Sequence, residues 1–234
     1  MLYFSQFKAL SFDCYGTLID WETGVLEVMS PLLAAHGVAA SDGEVLELFD
    51  RYDQGVKGPN YRTYRENLGR VVGRFGRHFG FSPSGDELGS LAESLGGWQP
   101  FDDTVKALAQ LNSRYKLAII SNIDDDLFAQ TAERLGVAFD QVITARQVES
   151  YKPAHRNFEV GLERLGIERE ELLHVAQSVT YDIVPAVELG LSCVWVRRNS
   201  QLFGGAAAGD SGADMEVADL AELVAQVERS SRYW

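Results

Sequence analysis

The stretch Lys8-Ala9-Leu10-Ser11-Phe12-Asp13-Cys14-Tyr15-Gly16-Thr17 sets the reading of the whole chain. Its first five residues are mostly apolar, as expected of a strand buried on both faces in a parallel sheet. An aspartate stands where that strand would end, and Gly16-Thr17 turns the chain away. Four more short apolar runs follow: Leu117-Ala118-Ile119-Ile120, Gln141-Val142-Ile143-Thr144, Leu172-Leu173-His174-Val175-Ala176 and Cys193-Val194-Trp195-Val196. Around them the spacing predicts helices over 104–113, 127–135, 158–165, 183–189 and 218–227. Three of these end in the same dipeptide, Leu135-Gly136, Leu165-Gly166 and Leu189-Gly190. A glycine just past a helix accepts the left-handed conformation that sends the chain back into a strand. Alternating strand and helix predicts an α/β fold with a doubly wound parallel sheet.

Residues 21–98 break the alternation. They contain no convincing strand and read as helices over 22–36, 41–54, 61–79 and 85–95. Ser41 and Glu44 have capping-box spacing. A right-handed crossover needs one helix, not four, so the block reads as a helical cap inserted over the carboxyl edge of the sheet. Gly96-Gly97 is the expected return hinge. The expected division is a core of residues 1–19 plus 99–234 and a cap of residues 20–98. The Gly- and Ala-rich segment 204–213 reads as a mobile loop before the last helix.

The chain has 234 residues, 46% hydrophobic and 24% charged, enough apolar content to bury a core without cross-links. Lys and Arg number 21 against 34 Asp and Glu, a net charge of −13. Nucleic acid and anionic membrane surfaces would repel such a chain. Two cysteines, Cys14 and Cys193, make neither a disulfide framework nor a zinc pattern. No apolar run approaches the roughly 18 residues of a membrane span, and the N-terminus lacks the pattern of a signal peptide. A cytoplasmic location is therefore expected.

Ligands of an open α/β sheet bind at the carboxyl ends of its strands. The first strand delivers Asp13 there and the second Ser121-Asn122. Tyr151-Lys152-Pro153 follows the third, and Gln177-Ser178-Val179-Thr180-Tyr181-Asp182 the fourth. This order resembles the haloacid dehalogenase superfamily over nearly the whole chain. Asp13-Cys14-Tyr15-Gly16-Thr17 is similar to its L-2-haloacid dehalogenase (type II) branch. The resemblance implies a Rossmann-like core and a hydrolase that needs no metal and no cofactor. Asp13 would attack C2 of a small 2-substituted carboxylic acid, forming an aspartyl ester that water hydrolyses; a carboxylate is a competent nucleophile for such a step. Lys152 would neutralise Asp13 and lower its pKa. Thr17 and Ser121 would hydrogen-bond the nucleophile or the substrate's anionic group, with Asn122 supporting the same pocket. Asp182 would hold Lys152 and the hydrolytic water, work suited to a carboxylate shielded from solvent. Superfamily phosphatases carry a second Asp two places after the nucleophile to protonate the leaving group. Tyr15 stands there instead and cannot replace it, whereas a halide leaves without a proton and suits an aromatic wall.

The chain departs from the branch in three places. Gln177 and Val179 replace a Ser and an Asn, leaving Ser178 or Thr180 to supply a hydroxyl. Phe158 replaces a Tyr after the Lys-Pro pair. The cap arginine that grips halide and carboxylate falls at or beside Phe49-Asp50-Arg51, with Asp50 in register. Arg51 is one place away, a rotation of about 100° on a helix. Arg62 and Arg65, three apart and on one helix face, are the other candidates. The readings left open are ring opening of azetidine-2-carboxylate, a small-molecule phosphatase, and a non-catalytic binding protein. A homodimer through the cap helices is what the resemblance suggests. His36, His78, His155 and His174 do not cluster; His174 reads as a satisfied core residue. Asp124-Asp125-Asp126 reads as helix capping rather than a metal set. Gly55-Val56-Lys57-Gly58 lacks the full pattern of a phosphate-binding loop.

Overall fold

The computed structural model of the chain describes residues 2–57, 60–198 and 211–230. Six strands form one sheet: β1 (Ala9–Phe12), β2 (Lys116–Ser121), β3 (Gln141–Thr144), β4 (Leu172–Ala176), β5 (Ser192–Val196) and β6 (Met215–Val217). Their order is β3-β2-β1-β4-β5-β6, and every pair is parallel. All four residues of β1 are buried, which is why its sequence is apolar without alternation. Leu10 and Phe12 enter one core layer; Ala9 enters the other, with Ile120, Phe158 and Trp195. The chain winds outward from β1 in one direction through β3, then returns to β4 on its other side. That reversal opens a crevice at the carboxyl ends of the central strands.

Four helices follow β1: α1 (Trp21–Ala35), α2 (Asp42–Val56), α3 (Tyr64–Phe79) and α4 (Gly85–Ser94). Each begins at a side-chain cap: Asp20, Ser41, Thr63 and Ser84 accept from the backbone N–H three residues on. Such caps satisfy first-turn donors that have no partner within the helix. The remaining helices are α5 (Thr104–Asn112), α6 (Asp125–Leu135), α7 (Ala145–Val148), α8 (Arg156–Leu165), α9 (Val184–Glu188) and α10 (Leu220–Ser230). The three Leu-Gly endings adopt the expected geometry, with φ of 70°, 64° and 70° at Gly136, Gly166 and Gly190.

Three elements differ from the sequence reading. The helix expected at 183–189 starts as a wide turn over Val179–Ile183 and continues as α9. Strand β6 and the one-turn helix α7 carry too few residues to show a period. Most of the segment 204–213 lies outside the described residues.

The chain passes between core and cap along two paired segments. The Asp20 N–H donates to Gln99 O at 2.9 Å, and Phe101 N–H to Leu18 O at 3.1 Å. Ile19 and Pro100 form an antiparallel bridge between them. The expected hinge at Gly96-Gly97 lies within a single tight turn, Leu95–Gly97, just before this pairing.

Candidate active site

The carboxyl edge of the sheet and the cap enclose a cavity of about 130 Å³. This is small against the roughly 300–1,000 Å³ of sites for drug-sized ligands, so it suits a small molecule. Asp13, Ser121, Lys152 and Asp182 line its floor. Asp13 leaves the end of β1, where Gly16, at φ 98°, lets the chain turn so that Thr17 folds back on the same carboxylate. Thr17 Oγ1 donates to Asp13 Oδ2 at 3.1 Å and accepts the Gln177 N–H at 2.9 Å. The Thr17 carbonyl is held in turn by the guanidinium of Arg198, which is paired with Asp103 and stacked on Phe101.

Lys152 is 2% exposed. Its ammonium donates to Asp13 Oδ1 at 2.8 Å, to the Ile120 carbonyl at 2.8 Å, and to Asp182 Oδ1. Three acceptors satisfy its three donors. Asn122 fixes this lysine by its backbone: Lys152 N–H donates to Asn122 Oδ1 at 2.7 Å and Asn122 Nδ2 donates to Lys152 O at 3.2 Å. Asp182 sits in the wide turn after β4. His174 Nε2 lies 3.0 Å from its Oδ1, and His174 Nδ1 lies 2.9 Å from Ser11 Oγ. His174 is thus a satisfied core residue, as the sequence implied, but one bonded to the floor of the cavity.

Burial and charge pull these groups apart. Burial lifts the Asp13 carboxyl above the usual range; the Lys152 charge opposes this, and the nearby Asp182 reinforces it. The lowered pKa expected for Asp13 is therefore corrected. Its lysine is shared with a second carboxylate, and desolvation outweighs what remains of the attraction. Burial also acts to raise Asp182, but the Lys152 charge and the His174 hydrogen bond hold it below the usual range. Desolvation would lower Lys152, and the two carboxylates together raise it instead.

Aromatic rings form much of the wall, among them Tyr15, Trp21, Phe49, Tyr64, Trp98 and Tyr181. Tyr15 Oη is 2.8 Å from Thr131 Oγ1, and its ring meets Trp98 edge to face at 5.9 Å. Burial pushes the Tyr15 phenol far up, so it stays neutral and offers the cavity a ring. A Cβ at Gly24 would lie 2.4 Å from the Trp98 ring; glycine there lets α1 close on that wall. Ser178 also lines the cavity, its Oγ accepting the Tyr181 N–H.

Four of the residues singled out in the sequence lie outside the lining of this cavity. Arg51, Arg62 and Arg65 do not line the cavity. Arg51 is on the exposed face of α2. Arg65 pairs with Asp126 at 2.7 Å. The part of Arg62 that reaches toward the site is its carbonyl, which accepts from Tyr151 Oη. Phe158 is fully buried in the core layer that holds Ala9 and Ile120, edge-on to His174 at 5.1 Å. A fifth expectation is refined: both ends of the Asn122 side-chain amide are spent on Lys152.

The charged cap residues that line the cavity are Asp50, Asp53 and Lys57. Lys57 forms an ion pair with Asp53, one helical turn back, and its ammonium lies 5.1 Å from the Tyr181 ring centroid and 5.5 Å from that of Tyr64. Lys57 sits at the end of α2, where a sequence period no longer reports direction. A second cavity of about 300 Å³ shares Lys57, Lys152 and Tyr181 with the first. Among the described residues no group of three His, Cys, Asp or Glu is placed to hold a metal ion. No helix among them is long and apolar enough to cross a membrane.

Comparison with known proteins gives a consistent picture. Residues 7–190 match the model of the family described as haloacid dehalogenase-like hydrolase. An (S)-2-haloacid dehalogenase from Pseudomonas putida is 26% identical over 226 residues, covering 92% of this chain and 96% of that protein. A glyceraldehyde 3-phosphate phosphatase from Methanocaldococcus jannaschii is 37% identical over 102 residues, 41% of this chain and 43% of its own length. Among solved structures, a defluorinating L-2-haloacid dehalogenase superposes with a TM-score of 0.80 at 21% identity, covering 95% of each chain.

Proposed function

Because the chain belongs to the haloacid dehalogenase-like hydrolases, we propose that it hydrolyses a small 2-substituted carboxylic acid through an ester formed on Asp13. The observation that carries this is the Asp13 carboxylate at the cavity floor, with Lys152 on one oxygen and Thr17 on the other. One oxygen of Asp13 attacks C2, and the bond to the leaving group breaks with its electron pair. C2 inverts. Water then attacks the ester carbonyl, restoring the Asp13 carboxylate and releasing a 2-hydroxy acid. Attack needs only a neutralised, oriented carboxylate, which Lys152 and Thr17 supply. Both described hydrogen bonds of Asp182 fall on Oδ1; its Oδ2 is assigned to the hydrolytic water. Ser121 and Ser178 are assigned to the substrate carboxylate, and Tyr15 to its apolar side. Asn122 acts through Lys152. Residues 20–98 are assigned as the cap that excludes bulk water during the reaction.

The full-length likeness to a 2-haloacid dehalogenase supports this reading. The phosphatase relative aligns over less than half of the chain. Phosphate ester cleavage would need an acid at position 15, where this chain has a buried, neutral phenol.

The stereochemistry provides the test. One displacement at C2 followed by attack at the ester carbonyl converts an S acid into an R hydroxy acid, and Asp13→Asn abolishes turnover. A racemic or retained product contradicts the scheme.

A further inference from the structure

We propose that the buried pair His174 and Ser11 positions Asp182 for the second half of the reaction, hydrolysis of the Asp13 ester, and plays no part in the first. His174 acts through Asp182; it does not itself line the cavity. This rests on the ester mechanism at Asp13 and assigns what keeps its second step working once the first has changed the charge of the site.

The contacts form one chain beneath the cavity floor. His174 of β4 stands opposite Ser11 of β1 in the sheet register, and both are 0% exposed. Ser11 Oγ lies 2.9 Å from His174 Nδ1, and His174 Nε2 lies 3.0 Å from Asp182 Oδ1. Burial acts to raise Asp182, but the Lys152 charge and the His174 hydrogen bond hold it below the usual range, so it is ionised. An ionised carboxylate only accepts. His174 Nε2 therefore carries a hydrogen and donates it. The neutral ring then accepts at Nδ1, and the Ser11 hydroxyl is the donor. Phe158 meets the same ring edge to face at 5.1 Å and fixes its plane. Every residue of β4 is buried and the others are apolar. A leucine would fill this place without the cost of desolvating a polar ring, so the ring is held here for what it bonds.

The need for it arises midway through the reaction. At the start one ammonium, Lys152, stands between the carboxylates of Asp13 and Asp182. Ester formation removes the charge of Asp13 and leaves one ammonium facing one carboxylate. Lys152 alone would let Asp182 turn and pair through both oxygens, which would consume the base. The His174 N–H holds Oδ1 from a second side, so Oδ2 stays free for water. Oδ2 then takes a proton from water as the water oxygen bonds to the ester carbonyl carbon. The bond from that carbon to the bridging oxygen breaks with its electron pair. The departing alkoxide takes the proton back from Oδ2 and leaves as the hydroxyl of the 2-hydroxy acid. The second water proton passes to solvent as Asp13 ionises. Ester formation uses neither Oδ2 nor His174.

The test is a single turnover with the full chain in excess over (S)-2-chloropropionate. Chloride release reports the first step, and the mass of the intact chain reports the ester and its loss. His174→Leu should leave chloride release unchanged and slow loss of the ester about tenfold or more, the scale of general-base assistance. His174→Gln, which offers an N–H at similar reach, should recover most of that loss. Ser11→Ala removes the partner of Nδ1 and leaves the ring in place. It should slow the same step by a smaller factor, and it serves alone if the leucine variant does not fold. Equal slowing of both steps, unchanged ester loss, or a glutamine variant no better than leucine overturns this proposal while leaving the ester mechanism intact. No chloride release from the parent, or chloride release with no acylated chain in any variant, overturns the ester mechanism and this proposal with it.

Discussion

Lys152 is the residue on which the site turns. Its ammonium is shared between two buried carboxylates, and removing one partner of a buried ion pair typically costs roughly 3–5 kcal/mol. Lys152→Met should destabilise the chain by about that amount in urea unfolding and abolish turnover. A stability change below about 1 kcal/mol would show that the two carboxylates simply take up a proton. The same sharing predicts the pH profile. Asp13 attacks only when ionised, and burial raises its pKa, so activity falls as pH drops through a value above the ordinary aspartate value of about 3.9. An acid limb of kcat/KM at or below that value contradicts the assignment. Stability follows the other partners. Asp182, held low, contributes stability above the unfolded aspartate value that is lost as pH falls through its folded pKa. Lys152, held high, contributes below the unfolded lysine value and loses it as pH rises through its own. Asp13, Thr17 and Lys152 were legible because each sits next to a strand end or in a short motif. That Arg51, Arg65 and Phe158 lie outside the cavity lining was not legible, because which face a helix turns to the site is a tertiary property; one residue rotates a side chain by about 100°.

At the scale of elements, Asp124 joins core to cap. Its carboxylate, 3% exposed, accepts the backbone N–H of Tyr64 at 3.0 Å and of Arg65 at 2.9 Å. The loop after β2 therefore caps the first turn of α3, where unpaired donors and the helix dipole favour a negative charge. The Asp-rich run was read as capping; what the sequence hid was that Asp124 serves a helix 60 residues upstream. Asp124→Ala should lower stability by roughly 0.5–2 kcal/mol and raise KM, because Tyr64 lines the cavity. Asp124→Asn should restore most of both. An unchanged KM in the alanine variant would separate this contact from the site. The helices themselves were legible from their caps and Leu-Gly endings. β6 was not, because three residues hold too little periodicity.

Over the whole molecule, a net charge of −13 sets the field in which substrate arrives. An anion approaches against it, and salt screens that repulsion over a Debye length of about 10 Å at 0.1 M. For an anionic 2-halo acid, kcat/KM should rise as salt is raised about fifteenfold, from roughly 20 to 300 mM, because the field is screened; for a zwitterion it should stay flat. A fall with salt for the anion would mean that the cavity's own cations dominate the approach. The central claim is that Asp13 becomes an ester during turnover. It is tested most directly by running many turnovers in ¹⁸O-water and weighing the peptide that carries residue 13. Label incorporated into Asp13, and absent from the peptides of Asp182 and Asp50, is the result predicted. Full turnover with an unlabelled Asp13 peptide would contradict it, because water would then have attacked the substrate itself.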